Sequence, residues 1–125
     1  MSVSPITCHI LDTTTGRPAA NVTCELTYLS DSKSSSKPIA LATTNNDGRV
    51  KNWNLSNENE SWILNELRSG IYKVRFNTLD YFTKMNRETF FPYVDIVFQL
   101  PESPDNHYHI PLLLSNYGYS TYRGS

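Results

Sequence analysis

Two histidines and an arginine are the residues of this 125-residue chain whose types and spacing bear most directly on chemistry. His9 lies within Ile6-Thr7-Cys8-His9-Ile10-Leu11, and His109 within His107-Tyr108-His109-Ile110-Pro111-Leu112-Leu113-Leu114. In both runs apolar residues recur at every second position and the histidine falls between them. Successive side chains of a strand point to opposite faces, so both rings leave the apolar face. Two readings follow. Either they are solvated residues on polar outer faces, or the two strands come together in the folded or assembled protein. In that second case two imidazoles titrating near neutrality can activate a water for attack on a carbonyl. An arginine nearby would stabilise the oxyanion that forms. Arg49, which follows the turn signal Asn45-Asn46-Asp47-Gly48, and Arg123 are the candidates.

A zinc site built from Cys8, His9, His107 and His109 is the competing arrangement, because His-x-His on a strand puts both rings on one face. Against it, Cys8 alternates away from His9, no Cys-x-x-Cys or His-Glu-x-x-His element occurs, and no acidic ligand adjoins. The expectation is chemistry without a metal or other cofactor. Gly-rich phosphate loops and a Gly-x-Ser-x-Gly elbow are missing. Glu88, Asp95 and Asp105 read as solvated surface charges. Tyr117 and Tyr119 read as strand packing, whereas Tyr122 stands out beside Arg123-Gly124-Ser125.

The elements that must position these residues are mostly strands. Period-two alternation marks Ile6 to Leu11, Val22 to Tyr28, Ile39 to Thr44, Ile71 to Asn77, Tyr93 to Leu100, His107 to Leu114 and Tyr117 to Tyr122. Turn signals separate them about every ten residues, the spacing of an antiparallel sandwich. Asn59 to Arg68 is the one helical candidate, ended by Gly70. Leu79 to Phe91 reads as a loop. Ser30 to Lys37 reads as a mobile Ser/Lys loop without chemistry. Pro111 cannot donate to a ladder, which predicts an edge or bulged position.

Composition bounds the rest. The length suits one domain over residues 1–125. With 11 basic against 12 acidic residues and a net charge of -1, the chain offers no basic surface for phosphates or anionic lipid. Neither a nucleic acid nor a membrane is therefore an expected partner. Cys8 and Cys24 each alternate with apolar residues, as reduced core thiols do. Without a leader or peroxisomal tripeptide, the cytoplasm is the expected compartment, with the peroxisome as alternative.

The segments Cys8-His9-Ile10-Leu11-Asp12, Thr15-Gly16-Arg17-Pro18-Ala19, Asp47-Gly48-Arg49, Tyr108-His109-Ile110-Pro111-Leu112-Leu113-Leu114-Ser115 and Tyr122-Arg123-Gly124-Ser125 occur in this order. Together they make the chain resemble, over essentially its whole length, the 5-hydroxyisourate hydrolases, the transthyretin-like enzymes of urate breakdown. The terminal tetrapeptide discriminates most, since the related thyroid-hormone carriers lack it. Two departures are Asn116, where the family commonly has proline, and a longer, more polar stretch at 30 to 37.

The resemblance implies an all-β, transthyretin-like two-sheet antiparallel sandwich of about eight strands with one short helix. It also implies a homotetramer, a dimer of dimers around a central channel that holds the active sites. His9, Arg49 and His109 fall on the family's catalytic positions, and Tyr122, Arg123, Gly124 and Ser125 on the tetrapeptide that closes the site over substrate. The implied activity is metal-free hydrolysis of 5-hydroxyisourate. The alternative within the same fold is a non-catalytic small-molecule carrier.

Overall fold

The alternating runs form strands in the structure, a computed structural model that describes residues 3–30 and 37–124. One sheet contains β1 (Ile6–Asp12), β2 (Arg17–Pro18), β5 (Arg49–Val50), β9 (Tyr108–Leu114) and β10 (Tyr119–Thr121). Its order is β10-β9-β1-β2, and β5 also pairs with β1. The other contains β3 (Thr23–Tyr28), β4 (Ala40–Thr43), β6 (Asn54–Leu55), β7 (Gly70–Asn77) and β8 (Val94–Leu100), in the order β6-β4-β3-β7-β8.

The period-two pattern decides what lies between the sheets. Ile6, Cys8 and Ile10 of β1 and Tyr108, Ile110, Leu112 and Leu114 of β9 are buried. So are Cys24 and Leu26 of β3, and Tyr72, Val74 and Phe76 of β7. Each fully buried aliphatic side chain contributes about 1.5–3 kcal/mol. A one-residue slip of β1 would exchange this set for Thr7 and His9, so burial fixes the register that aims the histidines outward.

The sandwich matches the sequence expectation in class and departs from it in four details. The described residues form ten strands, because β2, β5 and β6 are two-residue pairings too short to show a period. β1 and β9 pair in parallel, so the first sheet is mixed. The 59–68 segment forms a 3-10 helix over Glu58–Leu64, capped by the Asn57 side chain, which accepts from the Asn59 N–H. The α-helix, α1 (Thr78–Lys84), lies in the stretch read as loop. It buries only Thr78 and Phe82, too few residues to show a helical period.

Pro111 sits within β9, an interior strand with β10 and β1 as neighbours. The Tyr108 N–H donates toward the β1 side, to the Pro5 carbonyl. Donors alternate along a strand, so the donorless Pro111 nitrogen faces β10, where pairing lapses between Thr121 and Gly124. The stretch expected to be a mobile loop falls largely on 31–36, outside the described residues.

Candidate active site

Register assembles the site on the outer face of the first sheet. In the antiparallel β1–β5 pairing His9 stands opposite Arg49. In the parallel β1–β9 pairing Thr7 stands opposite His109 and His9 opposite Pro111. Arg49 owes its place to the turn before it. The Asn45 side-chain oxygen accepts from the N–H groups of Asp47 and Arg49, at 2.9 and 3.0 Å. Gly48 takes φ +72°, and a Cβ there would meet the Ile10 carbonyl oxygen at 2.5 Å. Glycine is thus required for both conformation and space. The Gly48 carbonyl then accepts from the Ile10 N–H at 2.8 Å, which locks the turn onto β1.

The His9 and His109 ring centroids are 6.3 Å apart with planes inclined by 23°. A cleft of about 210 Å³ opens beside His109, lined by Val3, Thr7, Cys8, Arg49, Val50, Lys51, His107 and His109, with His9 just outside this lining. Thr7 and His107 belong to this site, although sequence reasoning gave neither a catalytic place. The Thr7 Oγ1 lies 2.9 Å from His107 Nε2 and 2.8 Å from His109 Nδ1. Thr7 lies two residues before His9 on the same face, and that spacing was the available signal.

Burial and neighbouring charge disfavour the protonated form of both histidines. Burial first, and then the Arg49 guanidinium, hold His9 below the ordinary imidazole value of 6.5. Burial, Arg49, His9 and His107, in that order, do the same to His109. A neutral imidazole can take a proton from water, and a fixed guanidinium can stabilise the negative charge that follows. Cys8 is turned into the core, away from the three imidazoles. Among the described residues no group of three or more His, Cys, Asp or Glu side chains is disposed to hold a metal ion.

The C-terminal residues divide between two faces. The Gly124 N–H donates to the His109 carbonyl at 2.9 Å, and the two residues form an antiparallel bridge. Gly124 therefore backs the histidine. Tyr122 is exposed on the neighbouring stretch. Alternation turns Arg123 the other way, where its guanidinium pairs with Asp105 at 2.9 Å and lies 4.5 Å from the centre of the Tyr108 ring. That position is outside the histidine cleft. Ser125 lies outside the described residues. Asp95, read as a solvated charge, instead forms a two-pronged ion pair with Arg75 at 2.7 and 2.9 Å.

Residues 6–124 match the HIUase/Transthyretin family. A probable 5-hydroxyisourate hydrolase of Schizosaccharomyces pombe is 44% identical over 121 residues, spanning 96% of this chain and 90% of that relative. Two solved structures are similar over nearly the whole chain. The 5-hydroxyisourate hydrolase of Klebsiella pneumoniae has a TM-score of 0.74 at 31% identity, covering 96% of this chain and 98% of its own. Sea bream transthyretin in complex with thyroxine has a TM-score of 0.77 at 28% identity, covering 96% and 94%. Backbone similarity to a hydrolase and to a thyroxine-bound protein is nearly equal, so the side chains in the cleft must decide between them.

Proposed function

The chain belongs to the HIUase/transthyretin family, and on that footing we propose that it hydrolyses 5-hydroxyisourate, a step of urate degradation. The six-membered ring opens to 2-oxo-4-hydroxy-4-carboxy-5-ureidoimidazoline. The observation that carries this reading is the meeting of His9, Arg49 and His109 on one sheet face through the β1–β5 and β1–β9 registers.

Water adds to the ring carbonyl, and the amide C–N bond breaks. His9 and His109 share the removal of the water proton and its delivery to the leaving nitrogen. In both rings the protonated form is disfavoured, as suits a base before the reaction. Arg49 steadies negative charge on the substrate carbonyl oxygens. No step calls on a metal or cofactor. Gly124 backs His109, while Tyr122, Arg123 and Ser125 border and orient the substrate. Arg123 is free to turn toward substrate or a neighbouring subunit, because its ion pair with Asp105 is exposed on both sides and weakly held.

Assembly completes the site in this proposal. A cleft of about 210 Å³ is smaller than the roughly 300–1,000 Å³ of typical ligand pockets. A dimer of dimers, with the histidine faces lining a shared channel, would enclose the substrate, and sizing the protein in solution tests this. We propose the cytoplasm as compartment. Cys8 and Cys24 are free and buried, which suits a reducing environment. No helix among the described residues is long and apolar enough to cross a membrane.

The deciding experiment generates 5-hydroxyisourate with urate oxidase and follows its ultraviolet absorbance. A hydrolase accelerates the decay over the spontaneous rate. A non-catalytic small-molecule carrier would leave the decay unchanged, and that result would overturn the proposal.

A further inference from the structure

The Thr7 hydroxyl lies within hydrogen-bond distance of two imidazoles at once, His107 Nε2 at 2.9 Å and His109 Nδ1 at 2.8 Å. A hydroxyl has one hydrogen to give and two lone pairs to accept with. When both contacts are hydrogen bonds between neutral rings, Thr7 donates to one ring at most, so at least one ring must donate to Thr7. The tautomers of His107 and His109 are therefore coupled. His109 carries its proton on Nδ1 where Thr7 donates to His107 or accepts from both rings, and on Nε2 only where His107 donates to Thr7 and Thr7 donates to His109.

The two tautomers of His109 differ in what the ring can do. With the proton on Nδ1, Nε2 is a bare lone pair able to accept a proton. With the proton on Nε2, that nitrogen can no longer act as a base. Charge in the cleft favours the first tautomer. Arg49 and Lys51 line the same cleft as His109, and Arg49 acts on His109 more strongly than any other charge. The bare nitrogen is the negative end of a neutral imidazole, and cations lining the same cleft stabilise it.

We propose that Thr7 and His107 are positioning residues for the reaction proposed above, holding His109 in the Nδ1–H tautomer so that Nε2 is the base. In this arrangement His107 accepts the Thr7 hydrogen bond, and the carbonyl of His109, anchored by the Gly124 N–H, fixes the strand beneath the ring. When His109 takes the proton of water on Nε2, its Nδ1–H strengthens the bond to Thr7, and the positive charge is shared along the chain of hydrogen bonds. The inference rests on the hydrolase reading, yet the tautomer itself can be observed without substrate.

Nitrogen-15 spectra of histidine-labelled protein at a pH where the rings are neutral should show His109 with its proton on Nδ1, and Thr7→Val should turn it into a mixture. Thr7→Val should lower kcat about 10- to 100-fold with KM within about threefold, as expected for an interaction that matters in the transition state. Thr7→Ser, which restores the hydroxyl, should recover kcat to within about threefold of wild type.

His107 is exposed, so its substitutions leave the core untouched. His107→Gln keeps an acceptor for Thr7 and should retain kcat, whereas His107→Phe removes it and should lose about tenfold. An Nε2–H tautomer of His109 in the wild type would overturn the inference. So would full kcat in both Thr7→Val and His107→Phe. If the protein fails to speed 5-hydroxyisourate decay while the Nδ1–H tautomer is seen, the hydrolase reading falls and the coupled tautomers stand.

Discussion

Gly124 lies so close to His109 that a methyl group on it would meet the imidazole Cδ2 at 2.7 Å and the histidine Cβ at 3.2 Å. The obstacle is space, since the antiparallel bridge holds the two backbones together. Gly124→Ala must displace the ring or break the bridge. The sandwich core is not involved, so the melting temperature should stay within a few degrees. A displacement near 1 Å can cost about 100-fold in rate. Turnover equal to wild type in a folded Gly124→Ala variant would show that the ring position is not critical.

Asp12 gives a prediction about stability alone. Its carboxylate is fully buried. It accepts from Arg87 at 2.6 Å, from the Tyr81 hydroxyl at 2.7 Å and from the Thr14 and Thr15 N–H groups at 3.0 and 3.2 Å. Burial pushes this carboxyl up, but Arg87, Tyr81 and Thr15 outweigh it and hold it below its ordinary value. Its contribution is therefore present above pH 3.8 and lost as the pH falls through the lower folded value. Arg87→Leu strands a buried charge and should cost about 3–5 kcal/mol in urea unfolding. Tyr81→Phe, which removes one bond to a charged acceptor, should cost about 1.5–3 kcal/mol. Asp12 and His9 point to opposite faces of β1, so activity per folded molecule should change little in either variant.

The face of each histidine was legible because β1 and β9 are half-buried strands, and in such strands the period-two pattern sorts every residue to one side. The place of Arg49 was half legible. Asn45-Asn46-Asp47-Gly48 announces the turn, but nothing local says that Gly48 docks on Ile10 and sets Arg49 opposite His9. The parallel pairing of β1 with β9 joins residues about one hundred positions apart, and periodicity carries no information on which strands become neighbours. For that reason the contacts of Thr7 with His107 and His109 could not be foreseen. Arg123 shows the same limit. Once Gly124 pairs with His109, alternation sends Arg123 to the other face, toward Asp105.

The depressed values of His9 and His109 fix the direction of the pH dependence. The base form persists below the ordinary imidazole value, so kcat/KM should fall with decreasing pH with a midpoint below 6.5. Stability follows the same sign. The unfolded histidines take up protons near 6.5 while the folded ones resist, so their contribution is complete above that pH and is lost as the pH falls below it. Rate profiles and urea midpoints measured across this range check both statements. A kcat/KM midpoint above 6.5 would contradict them.

The division of labour between the two rings can be read from a double-variant cycle. His9 and His109 both project from the outer face, so replacing either with asparagine leaves the core intact, and size and thermal stability should match wild type. Asparagine cannot exchange a proton near neutral pH, so each single variant should lose about 100-fold or more in kcat. With ring centroids 6.3 Å apart, the two imidazoles can reach one bound substrate and its attacking water. If one takes the proton that the other returns, the second substitution removes a partner already idle, and His9→Asn/His109→Asn should be little slower than the slower single variant. Losses that multiply instead would mean that each ring acts on its own, and the shared proton transfer would have to be abandoned. The chelator arm of the same assay separates acid-base chemistry from a zinc centre. Overnight chelation should leave the wild-type rate unchanged, and a loss restored by zinc would move the histidines from base to ligand.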